Sequence, residues 1–216
     1  MQDDFTARYG AVEGVALPNA YMVPSAPSRP ARTGRIVLGL LSNLSCAKGL
    51  DRFIKLARDL RAEGVQFEAR LAGPVAEEDA GLLASALTEI PELVHVGPLY
   101  GEAKNEFLKN LDLFVFPTNY RNEAQPIVIY EAMAQGVPTL SVDRGCILDQ
   151  VGDCLEVLPD IATFDRDAAD LVARLAVSER SRLAVAQSRA PIRLAEDAER
   201  AFSTINGLFG VEGRKG

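Results

Sequence analysis

The chain has 216 residues, enough for one well-packed core and not clearly for two. Hydrophobic residues make up 48% of it, which excludes a disordered tail, and no apolar run approaches the length of a membrane span. The formal net charge of −7 argues against a nucleic-acid partner held mainly through its phosphates.

Residues 1–33 show little periodicity and end in a proline- and serine-rich stretch at 24–30, which reads as a linker. They lack the basic-then-apolar pattern of a secretory signal. From residue 35 strands and helices alternate. Ile36–Leu41 reads as a strand. Residues 48–62 form an amphipathic helix, with Phe53, Ile54, Ala57 and Leu60 on one face and a stop at Gly64. Phe67–Ala72 is a strand, 79–90 a helix, 93–96 a strand and 102–111 a helix. Leu113–Phe116 is a short, wholly apolar run that suits a strand covered on both faces. A helix follows from Pro126 to about Gln135, then strands at Thr139–Val142 and 154–157. From about Asp165 the chain reads as helical, with a break at Pro191. The alternation predicts an α/β fold, a Rossmann-like parallel sheet with helices on both faces over residues 34–190, and a helical tail at 191–216. Ligands on such sheets collect at the carboxyl ends of the strands, which nominates the loops 42–49, 97–101 and 118–127.

The junction after Phe116 is the most informative part. Pro117 ends the strand. Pro126 suits a first helical position, where a missing N–H costs nothing, and Gly136 with Pro138 stops the helix. The free amides of residues 127–129, with the helix dipole, form a site for an anion such as a phosphate. Glu123 lies in the loop before that site and Glu131 one to two turns into the helix. Like charges keep a carboxylate off a phosphate, so accepting hydrogen bonds from sugar hydroxyls is the better use. Taken singly, either glutamate reads as a solvated surface charge.

Cys46, Cys146 and Cys154 are odd in number and include no C-x-x-C pair. Each reads as a small buried hydrophobe, with neither a zinc site nor a disulfide framework implied. His95, the single histidine, lies in an apolar strand and reads as a packing residue. No catalytic dyad can be built on histidine here.

Asp112-Leu-Phe-Val-Phe-Pro-Thr118, followed by Glu123-x7-Glu131-Ala-Met-Ala-x-Gly-x-Pro138, resembles the donor-binding signature of the retaining GT-B glycosyltransferases of the large group 1 family. Other blocks agree in order. Residues 15–20 resemble the segment leading out of that family's interdomain linker. Residues 35–44 and Lys48-Gly49-Leu50-Asp51 resemble its first donor-domain strand and Lys-Gly helix start. Residues 94–99 resemble its base-binding strand and loop, and residues 145–151 the segment after the signature.

The resemblance implies one lobe of a GT-B fold, with residues 1–33 as interdomain linker and the end of a missing N-terminal lobe that would hold most of the acceptor site. It implies that Lys48 contacts the donor's diphosphate, Glu123 the hydroxyls of the transferred sugar and Glu131 the ribose. The backbone around Leu99 and Tyr100 would hold the base, although Tyr100 equally suits a half-exposed loop aromatic. Leaving-group charge would be offset by Lys48 and the amides of Ile127 and Val128. Two departures stand out. Asn43 replaces an arginine common five residues before the lysine, removing one cation. Ala124, Gln125 and Pro126 replace frequent glycines, and Gln125 becomes a candidate to hydrogen-bond the sugar. The expected substrate is a UDP-, GDP- or ADP-sugar, with no metal or other cofactor, an unknown acceptor and no nucleic acid. The expected location is the cytoplasm, with peripheral attachment to its membrane face open to the full-length enzyme. This chain alone is expected to bind a donor weakly and to transfer nothing. A GT-B epimerase is disfavoured by the single histidine, and a non-catalytic GT-B-like binding module stands as the alternative.

Overall fold

A computed structural model describes residues 17–24 and 34–210, with the single positions 6, 10, 14 and 15. Most of the expected linker, including residues 25–33, lies outside the described residues.

The strands are β1 Ile36–Leu41, β2 Phe67–Ala72, β3 Leu93–His95, β4 Leu113–Phe116, β5 Thr139–Val142 and β6 Val157–Leu158. The helices are α1 Leu50–Ala62, α2 Ala80–Glu89, α3 Gly101–Lys109, α4 Ile127–Ala134, α5 Ile147–Val151, α6 Ile161–Val177 and α7 Arg180–Phe209. All the strand pairings are parallel, and the sheet order is β3-β2-β1-β4-β5-β6. The α/β, Rossmann-like expectation therefore holds.

The central strands explain the apolar runs. Every residue of β4 and β5 is buried, which requires cover on both faces of the sheet. Right-handed crossovers supply it. The chain moves outward from β1 through β2 to β3, then returns across β1 to β4 and continues to β6. That reversal puts α1 and α2 on one face and α3, α4 and α5 on the other. Helix α6 packs against α1, and α7 packs against α4. The predicted face of α1, Phe53, Ile54, Ala57 and Leu60, is at most 1% exposed.

The reversal separates the loops leaving β1 and β4 and opens a crevice between them. At the opposite, amino end of the two strands Asp112, 1% exposed, ties β4 to β1. Its Oδ2 accepts from Val37 N at 2.9 Å while its own amide donates to Val37 O at 2.7 Å.

Several details differ from the sequence reading. The helical tail breaks at Ser178 and Glu179 and runs on through Pro191. A proline inside a helix removes one backbone hydrogen bond. Its neighbours Ala190 and Leu194 are 0% and 1% exposed, so packing holds the helix across the gap. The last strand is a two-residue segment at Val157–Leu158, later than expected, and α5 was not anticipated. Pro126 has φ −67° and ψ 117°, extended geometry, and caps α4 from outside.

Candidate functional site

The three nominated loops converge. Ser42, Asn43 and Lys48 from the first, Pro98, Leu99 and Tyr100 from the second, and Glu123, Pro126 and Ile127 from the third line one cavity of about 370 Å³. It lies at the carboxyl ends of β1 and β4, where the strand order reverses. Val128, Glu131 and Lys104 line it as well.

Lys48 is built into place by local structure. It closes a 3-10 turn, Cys46–Lys48, whose first residue donates its amide to Asp79 Oδ2 at 2.8 Å. The Cys46 thiol donates to Asp79 Oδ1 at 2.9 Å, and burial together with that carboxylate pushes the thiol up to about 12. The amide of Lys48 donates to Ser45 Oγ at 3.3 Å. Asn119 N donates to Ala47 O at 2.9 Å, tying the turn to the loop after β4. Lys48 Nζ then reaches Glu123 Oε2 at 2.7 Å and stands 4.2 Å above the Tyr120 ring. Thr118, fully buried, adds a second hydrogen bond to Glu123 Oε2 at 3.2 Å. An ammonium has three donors, so Lys48 can hold Glu123 and an anionic oxygen together.

Glu131 is paired as well, with Lys104 Nζ 2.5 Å from Oε1. The charged residues lining this cavity are thus two lysines and two glutamates in two close pairs. Each pairing aims its carboxylate and leaves lone pairs for hydroxyl donors.

The start of α4 faces the same space. Ile129 N is taken by Pro126 O at 3.2 Å, which withdraws one of the three amides expected to be free and leaves those of Ile127 and Val128 without a partner inside the helix. Tyr100 is 79% exposed at the rim, and Asn43 is exposed too. His95 braces the fold, its Nε2 2.9 Å from Gly73 O.

Ala124 and Gln125 do not join them. They line a second cavity, of about 580 Å³, on the other side of the loop, with Asn19, Tyr130, Arg193 and Asp197. Gln125, expected to hydrogen-bond a sugar, is here engaged by protein groups. Its Oε1 accepts from Asn19 N at 2.6 Å and its Nε2 lies 3.5 Å from the Tyr130 hydroxyl.

Lys104, Tyr120 and Thr118 were missed. Lys104 and Tyr120 carry no periodic signal, and Thr118 stands out only as the end of a motif. Thr118 and Tyr120 lie in a loop already nominated, so the nomination was the available signal.

Fold and crevice together define a Rossmann-like lobe with a polar crevice at its switch point. The chain belongs to the glycosyl transferases group 1 family, whose model matches residues 25–176. A GDP-mannose-dependent alpha-mannosyltransferase of Mycolicibacterium smegmatis is 29% identical over 174 residues, covering 77% of this chain and 43% of the relative. One of the same description from Mycobacterium tuberculosis is 31% identical over 157 residues, covering 72% and 38%. Among solved structures, S. aureus TarM, in a complex that includes UDP, has a TM-score of 0.73 at 16% identity, covering 96% of this chain and 42% of that one. The chain therefore spans less than half the length of these relatives.

Proposed function

We propose that this chain is the donor-binding domain of a retaining glycosyltransferase that moves a sugar from a UDP-, GDP- or ADP-sugar to an acceptor hydroxyl. The observation that carries the reading is the meeting of Lys48, Glu123, Glu131 and the start of α4 around one crevice at the β1/β4 reversal. The GDP-mannose dependence in the names of the mycobacterial relatives and the UDP in the TarM complex support the donor class.

In this reading the diphosphate lies against the amides of Ile127 and Val128 and the ammonium of Lys48. Asn43 adds a neutral hydrogen-bonding group. Glu131, steadied by Lys104, accepts from the ribose hydroxyls. The base runs along Leu99 and Tyr100, and Glu123 accepts from hydroxyls of the sugar. When the bond from the sugar's anomeric carbon breaks, its electron pair passes to the diphosphate. The charge developing there meets donors already in position, which lowers the barrier without a resident metal. The acceptor belongs to a part of the protein outside this chain, so this chain binds donor and transfers nothing by itself.

Calorimetric titration with UDP and GDP, on the wild-type chain and Glu131→Ala, tests the reading. The wild type binds one of them, and the variant binds it about tenfold more weakly, the loss expected for a charged hydrogen-bond acceptor. Equal binding by both proteins, or none by either, overturns it.

A further inference from the structure

Three consecutive carbonyls after Glu123 are tied down from behind. Ala124 O accepts from Cys146 N at 2.7 Å, Gln125 O from Asn19 Nδ2 at 3.2 Å and Pro126 O from Gln150 Nε2 at 2.9 Å. Gly145 closes the same side, where a Cβ would lie 2.3 Å from both Glu123 O and Ala124 O. The side chain of Gln125 returns the grip on Asn19 by accepting its amide at 2.6 Å. Beyond it, the fully buried Tyr130 donates to Asp197 Oδ2 at 2.8 Å. The Asp197 side chain is 2% exposed and pairs with Arg193 at 3.3 Å and with Arg200. A hydrogen-bonded path therefore runs from Asn19, 106 positions upstream, through Gln125 and α4 to α7.

We infer that Gln125 is a positioning residue for the donor sugar: clasped by Asn19, it fixes the backbone that carries Glu123, and it does not touch the sugar. The inference rests on reading the crevice as a nucleotide-sugar site. The loop lacks the glycines that would let it adapt to a ligand, so its shape comes from outside partners. A carboxylate must be held within about 0.5 Å of its working position to bind in one geometry, which requires a supporting shell of this kind. The clasp acts on one side of the crevice only. Glu123 lies on the clasped loop itself, whereas Glu131 is held further along α4 by the buried Ile129, Tyr130, Ala132 and Met133, and Leu99 and Tyr100 lie on a different segment. The turn at Asn19–Met22 packs on α4 and α7, so the chain entering the lobe is coupled to the segment that carries Glu123 and not to the loop of Leu99 and Tyr100.

The test is a set of titrations of the 216-residue chain with UDP, GDP, UDP-glucose and GDP-mannose. The proteins are wild type, Gln125→Met, Asn19→Ala and the double variant, each checked for its fold by circular dichroism. Both single variants keep wild-type affinity for the nucleoside diphosphate and lose about five- to tenfold for the nucleotide sugar that the wild type binds. The double variant loses no more than the weaker single, because the two residues act through one another. A weakened Gln125→Met beside an unaffected Asn19→Ala would mean direct sugar contact and overturns the inference. So do additive losses, or nucleoside diphosphate affinity falling in step. If Gln125→Met does not fold, Asn19→Ala decides alone, and unchanged sugar affinity refutes the positioning role. A wild-type chain that binds nucleoside diphosphates but neither nucleotide sugar refutes that role and leaves the crevice reading standing. One that binds nothing overturns the crevice reading itself.

Discussion

Gly49→Ala probes how the Lys48 turn is seated. Gly49 has φ 89° and ψ 18°, left-handed geometry that costs an L-residue about 1–2 kcal/mol. A Cβ there would also lie 2.5 Å from Pro117 O and 2.7 Å from Pro117 Cγ, a backbone atom and a stiff ring. Ordinary contact begins near 3.4 Å, so the turn and the end of β4 must part by close to an ångström. Overpacking of this kind adds about 1–3 kcal/mol, which brings the total to roughly 3 kcal/mol. At about 2–4 °C per kcal/mol for a chain of this size, the thermal midpoint falls by roughly 6–12 °C. The seam that opens carries the Asn119–Ala47 hydrogen bond and the Lys48–Glu123 pair, so nucleoside diphosphate affinity falls as well. Gly64→Ala is the control. Gly64 is also left-handed, at φ 70°, but nothing lies within 4 Å of its Cβ position. That variant bears the conformational cost alone, about 1–2 kcal/mol, and keeps its ligand affinity. Differential scanning calorimetry with titration reads both. The reasoning fails if Gly49→Ala melts no lower than Gly64→Ala.

Asn43→Arg restores a cation at the phosphate end of the crevice. Titration is expected to show about threefold or greater tightening for UDP or GDP, shrinking as salt is raised from 0.05 to 0.5 M, values chosen to span strong and weak screening. No gain at low salt would move the diphosphate away from Asn43. Burial, with a smaller contribution from the Asp153 charge, pushes the Cys154 thiol from an ordinary 9.0 up to about 12. Its contribution to stability is complete below pH 9 and is lost as pH rises towards 12, because the unfolded chain releases that proton first. Thermal midpoints measured from pH 8 to 10.5 should therefore fall, and fall less steeply in Cys154→Ala. Parallel slopes would contradict the assignment.

Much of the fold was legible because strands buried on both faces must be continuously apolar. Ile36–Leu41 and Leu113–Phe116 stand where their apolar runs placed them, and Phe67–Ala72, with Glu68 and Arg70 only half-buried, and Thr139–Val142 also stand at their expected bounds. Local propensity misled where packing overrode it. Pro191 looked like a break, yet the buried Ala190 and Leu194 carry α7 through it. The loops of the site were nominated by strand-end position, and all three meet in one cavity. Side-chain directions were not legible. Gln125 and Glu123 are two positions apart in an irregular loop, where no period assigns a face.

By itself the sequence determined an alternating α/β lobe and the junction at Glu123 and Glu131, because apolar period, prolines and glycines act locally. Tertiary structure alone decided the order β3-β2-β1-β4-β5-β6, and with it which loops share a crevice. It decided that Lys48 meets Glu123 across 75 positions and that Asn19 holds Gln125 across 106. Those partners are chosen by where the crossovers bring the chain back, and a linear pattern carries no record of distances closed only when the sheet is assembled.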